Sequence, residues 1–150
     1  MKSLPFVLSR LYLPPFQIAG YEVQVRAYRD GHFFKVHRDV DPNFPGAHRM
    51  INFVYYFHKQ PKPYTGGDLL LFDTDIENNR FTTSAFTLVQ PEDNSLVFFP
   101  SACYHSVVPV GCPSKEFADS RFVINGHVGK RVPAKPAVDA PAGTGVAAAS

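Results

Sequence analysis

The chain has 150 residues, with 15 basic against 13 acidic side chains and a formal charge of +2. That balance excludes a strong nucleic-acid footprint and an acidic solvating protein, and the length suits one domain with a single sizeable core. Fourteen Phe and seven Tyr, with no Trp, fall in short β-branched stretches, so a mainly β domain is expected.

Cys103 and Cys112 are too few for a disulfide framework and read as reduced thiols. The N-terminal run MKSLPFVLSR has a single Lys and is broken by Pro5 and Arg10, which makes a poor signal peptide. No stretch approaches the roughly 20 apolar residues of a membrane span. A soluble, cytoplasmic protein is expected, with neither a membrane nor a nucleic acid as partner.

Leu4, Val7, Leu8 and Leu11 stand at helical spacing, so a short amphipathic helix is expected over residues 4–13, closed by Pro14 and Pro15 and capping one face of a sheet. From Tyr21 to Tyr28 the residues Tyr21, Val23, Val25 and Ala27 alternate with Glu22, Gln24, Arg26 and Tyr28, a strand with one largely apolar face. Arg29 to Gly31 is a turn, and Phe33 to Asp39 runs back as the next strand. Asp41 to Gly46 is turn chemistry before Met50 to Phe57, which is apolar on both faces and predicts a central, doubly covered strand. Further strands are expected at Asp68 to Phe72, Phe86 to Val89 and Leu96 to Phe99, with a polar surface excursion over Asp73 to Thr83. After His105, Val107 and Pro109 on one face, a loop from Gly111 to Ser120 leads to the last strand, Arg121 to Val128. There Arg121, Val123, Asn125 and His127 share one face. Residues 1–130 are expected to form the domain. The Pro-, Ala- and Gly-rich residues 131–150 cannot offset their ordering entropy and predict a disordered tail. Seven or eight short strands without an internal repeat suggest a double-sheet jelly roll.

His37 and Asp39 lie two apart on the predicted strand and so project the same way. With His105 as a third ligand they form the two-His, one-carboxylate set that suits Fe(II) and leaves positions open for oxygen. Arg121 opens an otherwise apolar strand. A guanidinium at the edge of a core calls for a carboxylate, either internal, from Asp119 or Glu116, or on a ligand. Charge favours the ligand: Fe(II) with one Asp is singly positive, a doubly charged keto acid makes it singly negative, and one Arg restores neutrality in a dry pocket. His32, His48 and His58 have no partner at ligand spacing and are expected at the surface. Cys103, two residues from His105, is expected to pack as a small hydrophobe.

Taken together, YRDGHFFKVHRD (Tyr28 to Asp39), NFVYYF (Asn52 to Phe57), GGDLLLF (Gly66 to Phe72), NSLVFFPS (Asn94 to Ser101), HSVVPV (His105 to Val110) and DSRFVINGHV (Asp119 to Val128) resemble the 2-oxoglutarate and Fe(II)-dependent dioxygenases, in their prolyl 4-hydroxylase-like branch. The resemblance implies a cupin-like double-stranded β-helix with His37, Asp39 and His105 as iron ligands. It implies Arg121 as the residue for the distal carboxylate of 2-oxoglutarate, and Tyr28 with Tyr56 as hydrogen-bonding tyrosines, Tyr55 being the alternative inward ring. In that family the keto acid chelates iron, molecular oxygen takes the remaining site, and decarboxylation to succinate accompanies hydroxylation of a C–H bond. Ascorbate commonly keeps the iron reduced, and an amino-acid or peptidyl substrate, prolyl first, is implied. The sequence departs from the pattern in its long interval between His105 and Arg121, in His127 where relatives often carry an aromatic residue, and in the short stretch before the catalytic strands, as expected of a fragment or a misassigned start. The rival reading is a non-catalytic, cupin-like jelly-roll module holding zinc or serving as an interaction domain.

Overall fold

Residues 4–40 and 48–131 are described by the computed structural model of the chain. The loop expected at Asp41 to Gly46, and the tail expected from 131 onward apart from Arg131 itself, lie outside them. Helix α1 (Leu4–Arg10) is shorter than its apolar spacing predicts: Tyr12 takes φ +54°, and the backbone turns away ahead of the two prolines. Its Leu8 is buried against Ile51 and Val128, with Leu4, Val7 and Leu11 around them.

The strands are β1 (Ile18–Tyr28), β2 (Phe34–His37), β3 (Arg49–Phe57), β4 (Thr65–Gly66), β5 (Leu69–Asp75), β6 (Arg80–Val89), β7 (Ser95–Pro100), β8 (His105–Val107), β9 (Val110–Gly111) and β10 (Arg121–Lys130). One four-stranded sheet has the order β1-β10-β3-β7, a second has β2-β8-β5-β6, and β4 pairs with β9. All pairings are antiparallel. Leu69 and Val107 of the second sheet pack against Phe99 of the first, so the expected two-sheet, jelly-roll architecture is what the chain adopts.

Register decides what each sheet presents inward. Tyr28 lies opposite Arg121, Val123 opposite Tyr56, and His127 opposite Asn52. These residues and Val54 line the cavity between the sheets. Their neighbours Val23, Val25, Ile124, Tyr55, Phe57, Leu96 and Phe98 therefore face out. The apolar face of β1 is the outer one, with Tyr21, Val23 and Val25 each about 60 to 70 % exposed. Two expectations are corrected by this arrangement. Strand β3 is central, but α1 covers its outer face only near Ile51, leaving Tyr55 and Phe57 partly open. The polar stretch from Asp73 is no excursion: β5 and β6 continue as a hairpin in which Thr74 pairs with Phe81 and the Phe72 and Phe81 rings touch. The Asp75 carboxylate accepts from the Asn78 backbone, and Asn79 takes φ +53°, so the turn is tight.

Candidate metal centre

The last residue of β2 and the first of β8 are direct cross-strand partners, His37 opposite His105, which sets their ring centroids 4.1 Å apart. Asp39 lies two residues beyond the end of β2, off the strand on which the sequence placed it. Its backbone N–H donates to the Ser101 carbonyl at 3.0 Å and keeps it beside His37. Each imidazole donates through Nδ1 to a backbone carbonyl, His37 to Lys35 at 2.8 Å and His105 to Cys103 at 3.0 Å. Because a carbonyl can only accept, each Nδ1 carries hydrogen, and in the neutral ring each Nε2 presents a lone pair. His37 Nε2 lies 3.7 Å from Asp39 Oδ1 and His105 Nε2 lies 3.4 Å from Asp39 Oδ2. Two metal–ligand bonds of about 2.1 Å can span such gaps. All three residues offer ligand atoms within 4.8 Å of one another. Burial, then the neighbouring His37, hold the His105 pKa down at about 4, so its ring is neutral near pH 7.

Across the same cavity Arg121 is 1 % exposed, its guanidinium carbon 4.7 Å from the Tyr28 ring centre and 5.0 Å from that of Tyr56. The internal salt bridge is absent. Asp119 pairs instead with Lys59 and accepts from the Ser114 hydroxyl at 2.6 Å, and Glu116 is exposed. Among the described residues Arg121 has no acidic partner, and its Nε and the Tyr56 hydroxyl are buried without a hydrogen bond. A buried guanidinium without a counter-charge is costly, and the donor set fits a carboxylate. Burial raises the Tyr56 pKa, which keeps the hydroxyl protonated and able to donate. Tyr55 faces away and donates to Asn94 Oδ1 at 2.8 Å, so Tyr56 is the inward ring. Gly67, at φ +71°, makes room for the arginine: a Cβ there would stand 2.5 Å from Arg121 Cδ.

Residues 23–129 match the family model of the 2OG-Fe(II) oxygenase superfamily. The chain belongs to that superfamily. It is 42 % identical over 132 residues to an uncharacterized PKHD-type hydroxylase from Synechocystis, a match covering 87 % of this chain and 43 % of that protein. It thus spans less than half the length of that relative. Among solved structures, a Pseudomonas putida prolyl-4-hydroxylase aligns with TM-score 0.55 at 24 % identity, covering 77 % of this chain and 54 % of that one. A Trichoplax adhaerens prolyl hydroxylase, solved with a hypoxia inducible factor peptide fragment, aligns with TM-score 0.57 at 20 % identity, over 86 % and 54 %. At these identities the two structures speak for the fold.

Within this oxygenase fold the remaining sequence candidates fall into place. Asn52, which sequence reasoning passed over, donates from Nδ2 to Asp39 Oδ2 at 2.5 Å; the only hint was a polar residue within an otherwise apolar run. His32 is exposed as expected. His48 and His58, both expected at the surface, are each partly buried, His48 at 3.5 Å from a Glu22 oxygen and His58 edge-on to Tyr64. Cys103 packs beside Leu69, Phe99 and Val107, its thiol directed at the Phe72 and Tyr104 carbonyls, and burial raises its pKa. Both cysteines are free. Among the described residues no helix is long and apolar enough to cross a membrane.

Proposed function

We propose that the chain carries the core of an Fe(II)- and 2-oxoglutarate-dependent dioxygenase that hydroxylates a C–H bond of an amino-acid or peptidyl substrate, with prolyl compounds the first to try. One observation carries the reading: a two-His, one-carboxylate triad and a buried guanidinium without an acidic partner among the described residues line the same cavity. His37, Asp39 and His105 would hold Fe(II). Arg121 would pair bidentately with the distal carboxylate of 2-oxoglutarate, with Tyr56 donating its hydroxyl and the Tyr28 ring packing on the guanidinium.

When bound, the iron and the keto acid supply the oxidising chemistry, in which one oxygen atom enters succinate as carbon dioxide is lost and the other becomes the substrate hydroxyl. The protein's own residues do the arranging. The carbonyls of Lys35 and Cys103 fix the imidazole tautomers, and burial keeps His105 from competing for protons. Tyr28 and Tyr56 wall the arginine from water. Fixed groups in a dry pocket need no reorganisation during the reaction. The peptide held by the Trichoplax enzyme supports starting with peptidyl substrates.

Anaerobic titration of metal-free protein with Fe(II) and 2-oxoglutarate should give the visible charge-transfer band of a chelated keto acid, and His37→Ala or Asp39→Ala should abolish it. With oxygen, and ascorbate as the proposed reductant, slow succinate formation should follow even without substrate. Stoichiometric zinc binding with neither band nor turnover would instead favour the non-catalytic module.

A further inference from the structure

Asn52 is 2 % exposed and makes a three-way contact. Its Nδ2 meets Asp39 Oδ2 at 2.5 Å, while its Oδ1 meets Ser101 Oγ at 2.6 Å and His127 Nδ1 at 2.7 Å. The orientation follows from the chemistry of the partners. A carboxylate oxygen accepts, so the amide NH2 must face Asp39; the amide oxygen then faces Ser101 and His127, and both must donate to it. His127 is therefore protonated at Nδ1. Burial lowers its pKa, in keeping with a neutral ring of that tautomer. Reversing the amide would set its oxygen against the Asp39 carboxylate, which has no hydrogen to donate, so the contact to Asp39 fixes the orientation.

We propose that Asn52 is a positioning residue which, fixed by Ser101 and His127, engages Asp39 Oδ2, the oxygen 3.4 Å from His105 Nε2, and so leaves Oδ1, 3.7 Å from His37 Nε2, as the single ligand atom for the metal. This rests on the reading of His37, Asp39 and His105 as the metal centre. The register supports it, because β10 sets His127 directly opposite Asn52 on β3. Ser101, wholly buried, holds Asn52 through its hydroxyl and Asp39 through its backbone carbonyl. Both the carboxylate and the amide that restrains it are thus tied to one residue. A free carboxylate could rotate or chelate through both oxygens, taking a position the cosubstrate or oxygen requires.

Co(II) added to metal-free protein, followed by calorimetry and by its visible d–d spectrum, tests this without turnover. The wild type should bind and His37→Ala should not. Asn52→Ala should bind Co(II) about 10- to 100-fold more weakly, the usual range for outer partners of metal ligands, with an altered d–d spectrum. His127→Gln keeps an N–H donor and should bind within about threefold of wild type, and His127→Leu should show the Asn52→Ala behaviour in milder form. A purely structural role would lower the thermal midpoint and leave affinity and spectrum alone; wild-type affinity and spectrum in Asn52→Ala overturn the proposal. Should Asn52→Ala not fold, His127→Leu decides on the same two readouts. Failure of the wild type to bind Co(II) would overturn the metal-centre reading and this one with it, whereas wild-type binding unchanged in the variants overturns this one alone.

Discussion

The two faces of the β1-β10-β3-β7 sheet are built from the same strands and obey opposite rules. Inward stand Tyr28, Asn52, Tyr56, Arg121, Asn125 and His127, a set rich in polar groups. Outward stand Val23, Val25, Leu96 and Phe98, exposed to solvent, with Ile124, Tyr55 and Phe57 partly so, all apolar or aromatic. Where one face of an antiparallel sheet is packed, the usual arrangement is apolar inside and polar outside. Here the inward face sets the candidate centre and its polar groups among Val54, Val123 and Phe99, while part of the apolar surface is left on the other side. The lesson is that strand alternation tells which residues share a face and is silent about which face is inside.

The sharpest way to break the contrast is at Arg121. Arg121→Ala should weaken 2-oxoglutarate binding by about 2 to 5 kcal/mol, much of it the cost of stranding the ligand carboxylate, while Co(II) affinity stays within a fewfold. Arg121→Lys keeps the charge without the planar fork and should fall between. Calorimetric titration of both ligands checks the split; an unfolded Arg121→Ala protein with unchanged keto-acid affinity in its folded fraction would return the arginine to a structural role.

Acid should separate the faces next. His105 is held at about 4 against an unfolded value near 6.5, and His127 is lowered by burial. The unfolded state therefore binds protons that the folded state refuses, and stability is lost as pH falls from about 6.5 towards about 4. At roughly 1.4 kcal/mol per unit, His105 alone accounts for up to about 3 kcal/mol. Urea titrations of metal-free protein at stepped pH should show this loss, and His105→Gln should reduce it.

Gly67→Ala tests the space reserved for the arginine. The added Cβ meets Arg121 Cδ, and φ +71° is strained for alanine, so about 1 to 3 kcal/mol of stability should go. Keto-acid affinity should fall and Co(II) affinity should not. The smallest effect belongs to the outer face: Val25→Thr, at a site 69 % exposed, should change stability by no more than about 0.5 kcal/mol and neither affinity. A large loss there would mean that the outer face is covered in solution.

Much of the centre was legible because its residues obey local rules. His37 and Asp39 are two apart, the motif order brings His105 to a neighbouring strand, and Arg121 stands out as a charge opening an apolar strand. What escaped depends on tertiary choices. Tyr55 and Tyr56 are adjacent rings, and only the register of β3 with β10 decides between them. Asn52 acquires a role through partners 13, 49 and 75 residues away. The β5–β6 hairpin was underestimated because Thr, Asp and Arg in its tip look like loop residues until cross-strand pairing with Phe81 gives them a place. The surface expected for His58 failed for a similar reason, since Tyr64 folds over it.

The engagement of Asp119 by Lys59 and Ser114 gains meaning when considered as competition. A carboxylate tethered two residues from a guanidinium has an effective concentration on the order of millimolar or more. Left free to turn inward, it would act as a built-in inhibitor against any acid arriving from solution. The lysine and the serine hold the Asp119 pKa low and occupy its oxygens, so the chain's own acid is sequestered and Arg121 is left open to the ligand carboxylate proposed above.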